Sequence, residues 1–400
     1  PVPSPRSLLA VGPHLKNTFA LVRGGEAYVS QHIGDLETLD ALEHFRTSLS
    51  RFQRLFRIEP EVVVRDLHPG YLSTRVAHEL AEAMGSTEVM AVQHHHAHVA
   101  AVLAEHGQAG PAVGLAFDGT GYGDDRCVWG GEVLVADLGS YRRVGRLRYA
   151  PLPGSEAAVR SPWRTVLGYL SLAPECKDHF RLAFTGVPEG DQEVVLRQAA
   201  AGFNAPLASS MGRLFDAAAA VLGLRNRTDY DGQAPMELEA AAHGSGESPA
   251  KQGKGAGRVD APWSLPYLRD EEGVYIMDPV PLLSGLGKAR LKGDPLPGLA
   301  RAFHLAVAHT AADLAEKIGR EEGIQVVALC GGVFQNALLM TSIRNLLEAK
   351  GFHVLVPRLL SPNDGAISYG QAAVATARLR ARAGGDAGGE RMSGMSGKEG

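Results

Sequence analysis

The chain has 400 residues, of which 45% are hydrophobic and 21% charged, a balance typical of globular proteins that bury large cores. This composition excludes a fibrous or wholly disordered chain. The net charge of −4 comes from evenly mixed acidic and basic residues. Nucleic acid is therefore a disfavoured partner, because the sequence shows no basic footprint for a long polyanion.

The cysteines and the N-terminus indicate the compartment. Cys127, Cys176 and Cys330 form no C-x-x-C pair, so neither a zinc ribbon nor a disulfide framework is supported and a reducing compartment fits best. No signal-peptide pattern opens the chain, and no apolar run approaches the ~20 residues of a membrane span. We expect a soluble, cytoplasmic protein with no membrane partner.

Short strands and helices alternate along the first part of the chain. Three strands joined by glycine-containing turns predict an antiparallel meander at 7–12, 18–23 and 26–32. Helix–strand pairs follow at 39–56 with 62–64, and at 73–84 with 89–92. The order β-β-β-α-β-α-β recurs downstream, in strands at 113–117, 128–136, 142–149, 326–330 and 354–356 with helices around the last two.

Two similar halves predict a duplicated α/β fold of the actin-like or sugar-kinase-like (ASKHA) type, with nucleotide held between the lobes. We assign the first lobe, with its metal-binding helix start, to 1–110 and the second lobe to 111–382. A largely helical insertion, about 151–297 with a helix at 211–222, is expected to carry specificity. A flexible loop at 244–260 and a disordered tail at 383–400 complete the organisation.

The run Gln-His-His-His-Ala-His at 93–98 is the sharpest chemical signal. His94 and His98 stand four residues apart at the start of a predicted helix ending at Glu105, so both imidazoles project from one face, as a divalent metal requires. The alternative is a solvated helix start.

Two aspartates are candidates to complete the site. Asp118 ends an apolar strand before alternating glycines that would admit a phosphate, although Asp-Gly is also common in hairpin turns. Asp364 precedes a helix and would either cap it or bind metal. Two histidines with one or two aspartates would suit Fe(II), Zn(II) or Mn(II).

Gly331 and Gly332 follow a buried-looking strand and open a helix, so a nucleotide could lie against the backbone there. Cys330 invites an acyl-accepting role, but an unpaired cysteine ending an apolar strand is more often a small buried hydrophobe.

Together these segments resemble the C-terminal domain of HypF, the hydrogenase-maturation carbamoyltransferase and a relative of tRNA threonylcarbamoyl-transfer enzymes and antibiotic O-carbamoyltransferases. The resemblance covers nearly all of residues 7–380. It is carried by the segments at 15–18, 30–35, 66–69, 92–98, 117–123, 209–216, 231–237, 331–336 and 363–365.

The resemblance implies the roles of particular residues. The metal, Fe or Zn, and the catalytic chemistry would fall to His94, His98, Asp364 and Asp118. A bound ATP or carbamoyl adenylate, with Mg²⁺, would contact the ribose-side residues Asp216, Gly232 and Glu237, the adenine-end residues Gly331, Gly332 and Asn336, and the hairpin-loop residues Lys16 and Asn17.

The resemblance also implies a reaction. Carbamoyl phosphate and ATP would form carbamoyl adenylate, and the carbamoyl group would pass to the C-terminal cysteine thiol of the partner HypE, toward the cyanide ligand of [NiFe] hydrogenase. The acylphosphatase-like, zinc-finger and YrdC-like domains of full HypF proteins are not visible here, so we expect this chain to perform the transfer half. Gly12-Pro13-His14 also departs from the family's Gly-Gly-Glu.

Two alternatives stay open. A tRNA threonylcarbamoyl transferase would share the fold and the histidine pair, but the charge balance and the 209–216 motif oppose it. A non-catalytic, nucleotide-binding scaffold for a maturation complex is opposed by the intact metal and nucleotide motifs.

Overall fold

The computed structural model describes residues 3–85, 88–244 and 263–393, with side chains as far as residue 383. The chain divides into two compact units. The first contains the chain up to Pro111, the segment Ala136–Tyr141 and the chain from Val356 onward; the second contains Ala112–Val135 and Arg142–Leu355. Apart from Gly244, the loop predicted at 244–260 lies outside the described residues.

The strands of the described residues are β1 Ser4–Ala10, β2 Ala20–Gly24, β3 Glu26–Val29, β4 Val62–Asp66, β5 Glu88–Val92, β6 Ala112–Tyr122, β7 Val128–Ala136, β8 Tyr141–Leu147, β9 Ala150–Pro151, β10 Leu207–Ala208, β11 Tyr267–Arg269, β12 Tyr275–Met277, β13 Val326–Cys330 and β14 His353–Leu355. The helices are α1 Leu39–Phe56, α2 Leu72–Ala83, α3 His94–Glu105, α4 Glu156–Arg160, α5 Pro162–Leu172, α6 Glu189–Ala201, α7 Met211–Val221, α8 Gln233–His243, α9 Val280–Leu291, α10 Leu296–Glu322, α11 Ala337–Ala349 and α12 Ile367–Ser393.

The first unit is built on a sheet with strand order β3-β2-β1-β4-β5. The first three strands pair antiparallel, which confirms the predicted meander, and β4 pairs parallel with both β1 and β5. Val62, Val63 and Val64 are fully buried. A continuous apolar run is what a strand covered on both faces requires.

Helices cover both faces of this sheet. Leu8 and Ala10 point into one core together with Ala97 of α3 and Ile367 of α12. Leu9, between them, points into the opposite core with residues of α1 and α2, because successive strand side chains alternate between faces. The helices α3 and α12 therefore lie on the same face of the sheet.

The second unit contains a sheet with strand order β11-β12-β8-β7-β6-β13-β14, to which β9 and β10 add at the side. The segment from 151 to 297 contributes helices α4 to α9 and a 3₁₀ segment at Pro174–Phe184. Across the described ranges, no helix is both long and apolar enough to cross a membrane.

The predicted lobes and the two compact units divide the chain differently near its C-terminal end. The predicted break after residue 110 lies next to the observed one at Pro111, but the chain from Val356 onward packs in the first unit, whereas we assigned it to the second lobe. The reason is that α12 buries Ile367, Val374 and Ala375 in the first unit's core. The backbone of the predicted disordered tail is helical as far as Ser393, and residues 394–400 lie outside the described residues.

Candidate functional site

The two histidines of the sequence signal lie on the first turns of α3. Gln93 caps this helix, since its side chain accepts a hydrogen bond from the His96 N–H at 2.9 Å. The rings of His94 and His98 have centroids 5.0 Å apart, as the i, i+4 spacing dictates. Both side chains are almost fully buried, which contradicts a solvated helix start.

Asp364 belongs to the short 3₁₀ turn Asp364–Ala366 that precedes α12. The side chain capping this turn is that of Asn363, which accepts from the Gly365 N–H at 2.9 Å. Asp364 instead places Oδ1 3.6 Å from Nε2 of His94 and 3.6 Å from Nε2 of His98. The structure therefore brings these three predicted residues together.

The loop that delivers Asp364 is attached to the far end of α3. The carboxylate of Glu105, the last residue of α3, accepts the backbone N–H groups of Arg358, Leu359 and Leu360. His106 Nε2 donates to the Val356 carbonyl oxygen at 2.8 Å. One helix thus carries two donors of the site and fixes the loop that carries the third.

The donor set fits a divalent metal. The ligand atoms of His94, His98 and Asp364 lie within 4.8 Å of one another. Protein ligands bind zinc at about 2.0–2.2 Å, which places tetrahedral ligand atoms roughly 3–4 Å apart. Two imidazole nitrogens with a carboxylate oxygen suit Fe(II), Zn(II) or Mn(II), and three protein ligands leave a position for substrate.

Sequence reasoning missed Asp66 as a functional residue. Its side chain is fully buried at the end of β4, and its Oδ2 lies 2.8 Å from His94 Nδ1. The signal was available: Asp66 ends a strand that runs parallel to β5, the strand leading into the histidine run. Polar residues at the carboxyl ends of neighbouring parallel strands meet at one sheet edge.

The other two histidines of the run have structural partners. His96 Nε2 donates to the Asp137 carbonyl oxygen at 2.8 Å, and burial lowers its pKa to about 4. His95 Nδ1 lies 3.3 Å from Gln93 Nε2. These contacts give both residues a structural role in the histidine run.

Asp118 lies in the second unit, and its local setting differs from the one predicted. It lies inside β6, which continues to Tyr122, and the chain turns only at 123–127, where Gly123 donates to the Cys127 carbonyl oxygen. The Asp118 carboxylate accepts the Gly332 N–H at 3.0 Å. Neither a hairpin turn nor a strand end lies at this position, and its role as a metal ligand stays a prediction.

Gly331, the first residue after β13, is required by packing. Gly331 has φ +98°, and a Cβ atom there would lie 2.3 Å from the Phe117 carbonyl oxygen. This close approach of β13 to β6 explains Gly331 without any ligand, so nucleotide contact at Gly331 and Gly332 stays a prediction. Burial raises the pKa of the Cys330 thiol, which disfavours the acyl-accepting role.

The amide of Asn336 is largely committed to protein partners. Its Oδ1 caps α11 by accepting the Leu339 N–H at 2.8 Å, and its Nδ2 lies 2.9 Å from His304 Nε2. His304 Nδ1 donates to the Ala300 carbonyl oxygen at 2.8 Å, so Nε2 is the acceptor for Asn336. One amide hydrogen is left for the predicted adenine contact.

The predicted ribose-side residues occupy three different settings. Asp216 is buried against Arg213 Nε at 2.7 Å, and burial raises its pKa to about 7. Glu237 accepts from both Nε and Nη2 of Arg225, which lowers its pKa. Gly232 has φ +80° at the start of α8. Their contact with a nucleotide stays a prediction.

Lys16 and Asn17 lie in the first unit. Asn17 is fully buried, and its Nδ2 donates to the carbonyl oxygens of Val11 and Pro13. The Lys16 N–H donates to Asp35 at 2.7 Å. The Asn17 contacts stabilise the first hairpin loop, and a cofactor role for either residue stays a prediction.

Comparison with known proteins identifies the class. Residues 3–105 match the HypF Kae1-like domain, and residues 114–371 match the second subdomain of the carbamoyltransferase Kae1-like domain. The chain therefore belongs to the HypF Kae1-like carbamoyltransferase domain family, which confirms the resemblance found in the sequence. A similar solved structure is a crystal structure of full-length HypF in the phosphate- and nucleotide-bound form. It has a TM-score of 0.85 to this chain and 38% sequence identity, over 94% of this chain and 47% of that one. This similarity confirms the ASKHA-type fold expected from the duplicated pattern.

Two relatives from Cupriavidus necator show how much of the family's length is present. Carbamoyltransferase HypF2 is 41% identical over 93% of this chain but 47% of its own length. A carbamoyltransferase HypF homolog is 35% identical over 92% of this chain and 91% of its own length. The chain thus spans about half the length of the first relative and nearly all of the second.

Proposed function

We propose that this chain is a cytoplasmic carbamoyltransferase of [NiFe] hydrogenase maturation. It transfers the carbamoyl group of carbamoyl adenylate, made from carbamoyl phosphate and ATP, to the C-terminal cysteine thiol of HypE. The observation that carries the proposal is the convergence of His94, His98 and Asp364 in a member of this family, since Nε2 of each histidine lies 3.6 Å from Asp364 Oδ1.

Those three residues would hold a divalent metal, Fe or Zn. When bound, the metal would supply a Lewis acid that offsets the charge developing on adenylate oxygens. The HypE thiol loses its proton to solvent and its sulfur attacks the carbamoyl carbon, so that a C–S bond forms, the C–O bond to phosphate breaks, and AMP leaves with the bonding electron pair. This route needs no nucleophile from the chain, which agrees with the buried thiol of Cys330.

The residues of the first unit position the site. The burial of His94 and His98 excludes bulk water from two donors, which strengthens electrostatic interactions there. Asp364 is about one-sixth exposed, with a side-chain relative accessibility of 17%. The carboxylate is therefore the member of the set that a substrate reaches from solvent.

The proposal is tested by mass spectrometry of HypE incubated with this chain, carbamoyl phosphate and ATP, with and without an added YrdC-type enzyme. We expect a carbamoyl adduct on the C-terminal cysteine of HypE when this chain and the YrdC-type enzyme are both present. A HypE variant ending in serine is the acceptor control. A second control is His44→Ala, since His44 is exposed on α1.

A matched variant, His98→Ala, is expected to abolish the adduct. Absence of the adduct with the unchanged chain, with or without the YrdC-type enzyme, would favour a non-catalytic scaffold. Carbamoylation that persists in His98→Ala would contradict the metal-dependent mechanism.

A further inference from the structure

The two oxygens of the Asp66 carboxylate contact two different groups. Its Oδ2 lies 2.8 Å from His94 Nδ1, and its Oδ1 accepts the His68 backbone N–H at 2.9 Å. The residue is fully buried at the end of β4, where it pairs in register with Val92, two residues before His94. Both oxygens are thus held in fixed positions.

This contact determines where the proton of His94 resides. A neutral imidazole carries one N–H, and a carboxylate only accepts hydrogen bonds. The proton therefore lies on Nδ1, facing Asp66, and the lone pair lies on Nε2, the nitrogen 3.6 Å from Asp364 Oδ1. The nitrogen that faces the proposed metal is the one able to bind it.

We propose that Asp66 is a positioning residue that fixes the Nδ1–H tautomer of His94 and so directs its Nε2 lone pair at the metal. The inference rests on the proposed metal site of His94, His98 and Asp364. Carboxylates that accept from the second nitrogen of a metal-binding histidine commonly orient the ring and raise its basicity.

The His68 contact makes Asp66→Asn a tautomer switch. In Asp66→Asn the carbonyl oxygen must keep facing the His68 N–H, because an amide N–H there would meet another donor. The amide nitrogen then faces His94 Nδ1 and donates to it. The imidazole proton then moves to Nε2, the same change of tautomer that follows when the aspartate of a catalytic Asp–His pair is changed to asparagine. A protonated Nε2 cannot bind a metal.

Asp66→Ala removes the carboxylate that favours one tautomer of His94, without adding a donor that favours the other. We expect Asp66→Ala to weaken metal binding about 10–100-fold, the usual effect of losing such a partner. Asp66→Asn, although nearly isosteric, should bind metal still more weakly. In free energy of unfolding the order should be the reverse, since alanine leaves a cavity and removes the acceptor of the His68 N–H whereas asparagine fills the same space and keeps that acceptor.

The first test is Zn²⁺ affinity by chelator competition, with urea unfolding of the same metal-free proteins. Asp40→Asn is the matched control, because Asp40 is exposed on α1, and it should bind Zn²⁺ like the unchanged chain. A purely structural Asp66 predicts that Asp66→Asn binds Zn²⁺ better than Asp66→Ala, and that order would overturn the inference.

The second test separates the tautomer from metal binding. Long-range ¹H–¹⁵N NMR of metal-free protein labelled with ¹⁵N-histidine should show His94 protonated at Nδ1, and at Nε2 in Asp66→Asn. The His94 signals are assigned by their loss in His94→Gln. An Nε2–H tautomer in the unchanged chain would overturn the inference, whereas an Nδ1–H tautomer in a chain that binds no Zn²⁺ would contradict the proposed metal site and leave the tautomer assignment supported.

Discussion

At the residue scale, the proposed metal site of the first unit depends on single side chains. Since His94 and His98 each place Nε2 3.6 Å from Asp364 Oδ1, we expect His94→Ala and His98→Ala each to lose roughly one bound divalent metal while staying folded. Elemental analysis with circular dichroism measures both properties. His44→Ala should keep its metal, and full occupancy in the double variant His94→Ala, His98→Ala would refute the site.

A second residue-scale prediction concerns acid stability. Burial lowers the pKa of His304 to about 4, against an ordinary value of 6.5. Between these values the unfolded chain binds a proton that the folded chain does not, so stability is lost as the pH falls from 6.5 toward 4. At about 1.4 kcal/mol per pKa unit, this histidine costs roughly 2–3 kcal/mol near pH 4.5.

Urea unfolding from pH 7.5 to 4.5 measures this contribution. His304→Gln should show a shallower loss of free energy of unfolding with acid than the unchanged chain does. His44→Gln, changed at an exposed position, is the control and should keep the original slope. Equal slopes for His304→Gln and the unchanged chain would show that His304 titrates alike in both states.

A third prediction concerns a buried ion pair of the second unit. Glu132 is fully buried and accepts from Arg143 Nε at 2.6 Å and from Ser209 Oγ at 2.5 Å. Glu132→Ala removes this carboxylate from the partly buried Arg143, which keeps its contact with Asp125 at 3.1 Å, so we expect a loss of about 1.5–3 kcal/mol in the free energy of unfolding. The neighbouring Arg142 pairs with Glu322 at a far more exposed position.

Arg142→Ala is therefore the control, with an expected cost of at most about 1 kcal/mol. Urea denaturation of both variants gives the comparison. If Glu132→Ala and Arg142→Ala lower the free energy of unfolding by similar amounts, the burial of the Glu132–Arg143 pair does not determine its contribution to stability.

At the residue scale, the sequence predicted that His94 and His98 lie together, but it did not predict which residues contact them. The proximity of His94 and His98 follows from helical spacing, because residues four apart in a helix lie on the same face. Asp66 is 28 residues from His94, and its contact depends on strand register, which spacing alone does not specify. The Glu105 contacts likewise join α3 to a loop more than 250 residues away.

At the scale of elements, α3 and α12 approach so closely that a side chain has no room. A Cβ atom at Gly370 would lie 1.9 Å from the Ala97 carbonyl oxygen. Gly370→Ala should force the two helices apart and lower the free energy of unfolding by about 1–3 kcal/mol. It should also weaken binding at the proposed metal site, because His98 is in α3 whereas Asp364 directly precedes α12.

Gly298→Ala is the matched control for Gly370→Ala. Gly298 is exposed in α10, and a Cβ atom there meets nothing within 4 Å. We expect Gly298→Ala to stabilise the chain by about 0.4–1 kcal/mol. Thermal unfolding measures the stability of both variants, and Zn²⁺ titration measures their metal affinity. Unchanged Zn²⁺ affinity in Gly370→Ala would show that the α3–α12 contact does not position the proposed ligands.

Elements with strong local signals were predicted closely. The helix predicted at 39–56 is observed as Leu39–Phe56, because Thr38 caps its first turn and an apolar stripe runs along one face. By contrast, β6 passes through Asp118 and three glycines as far as Tyr122. Glycine usually weakens a strand, and hydrogen bonding to neighbouring strands, which is distant in sequence, holds β6 extended.

At the scale of the whole molecule, the fold class could be predicted because the strand and helix order repeats. The sequence could not, however, predict which of the two units contains the chain from Val356 onward. The chain from Val356 onward returns to the first unit, since its apolar residues complete a core formed by strands near the N-terminus. Nothing local to residues 356–383 specifies which of two similar sheets they cover.

The last prediction concerns which half of the proposed reaction this chain performs. Because the matched residues cover only the Kae1-like domains, we expect transfer to HypE from added carbamoyl adenylate to proceed without a YrdC-type enzyme. Transfer from carbamoyl phosphate and ATP should require that enzyme. Quenched-flow mass spectrometry of the HypE adduct compares the two routes, with His98→Ala as the inactive control. Equal rates from carbamoyl phosphate and ATP with and without the YrdC-type enzyme would show that this chain also makes the adenylate.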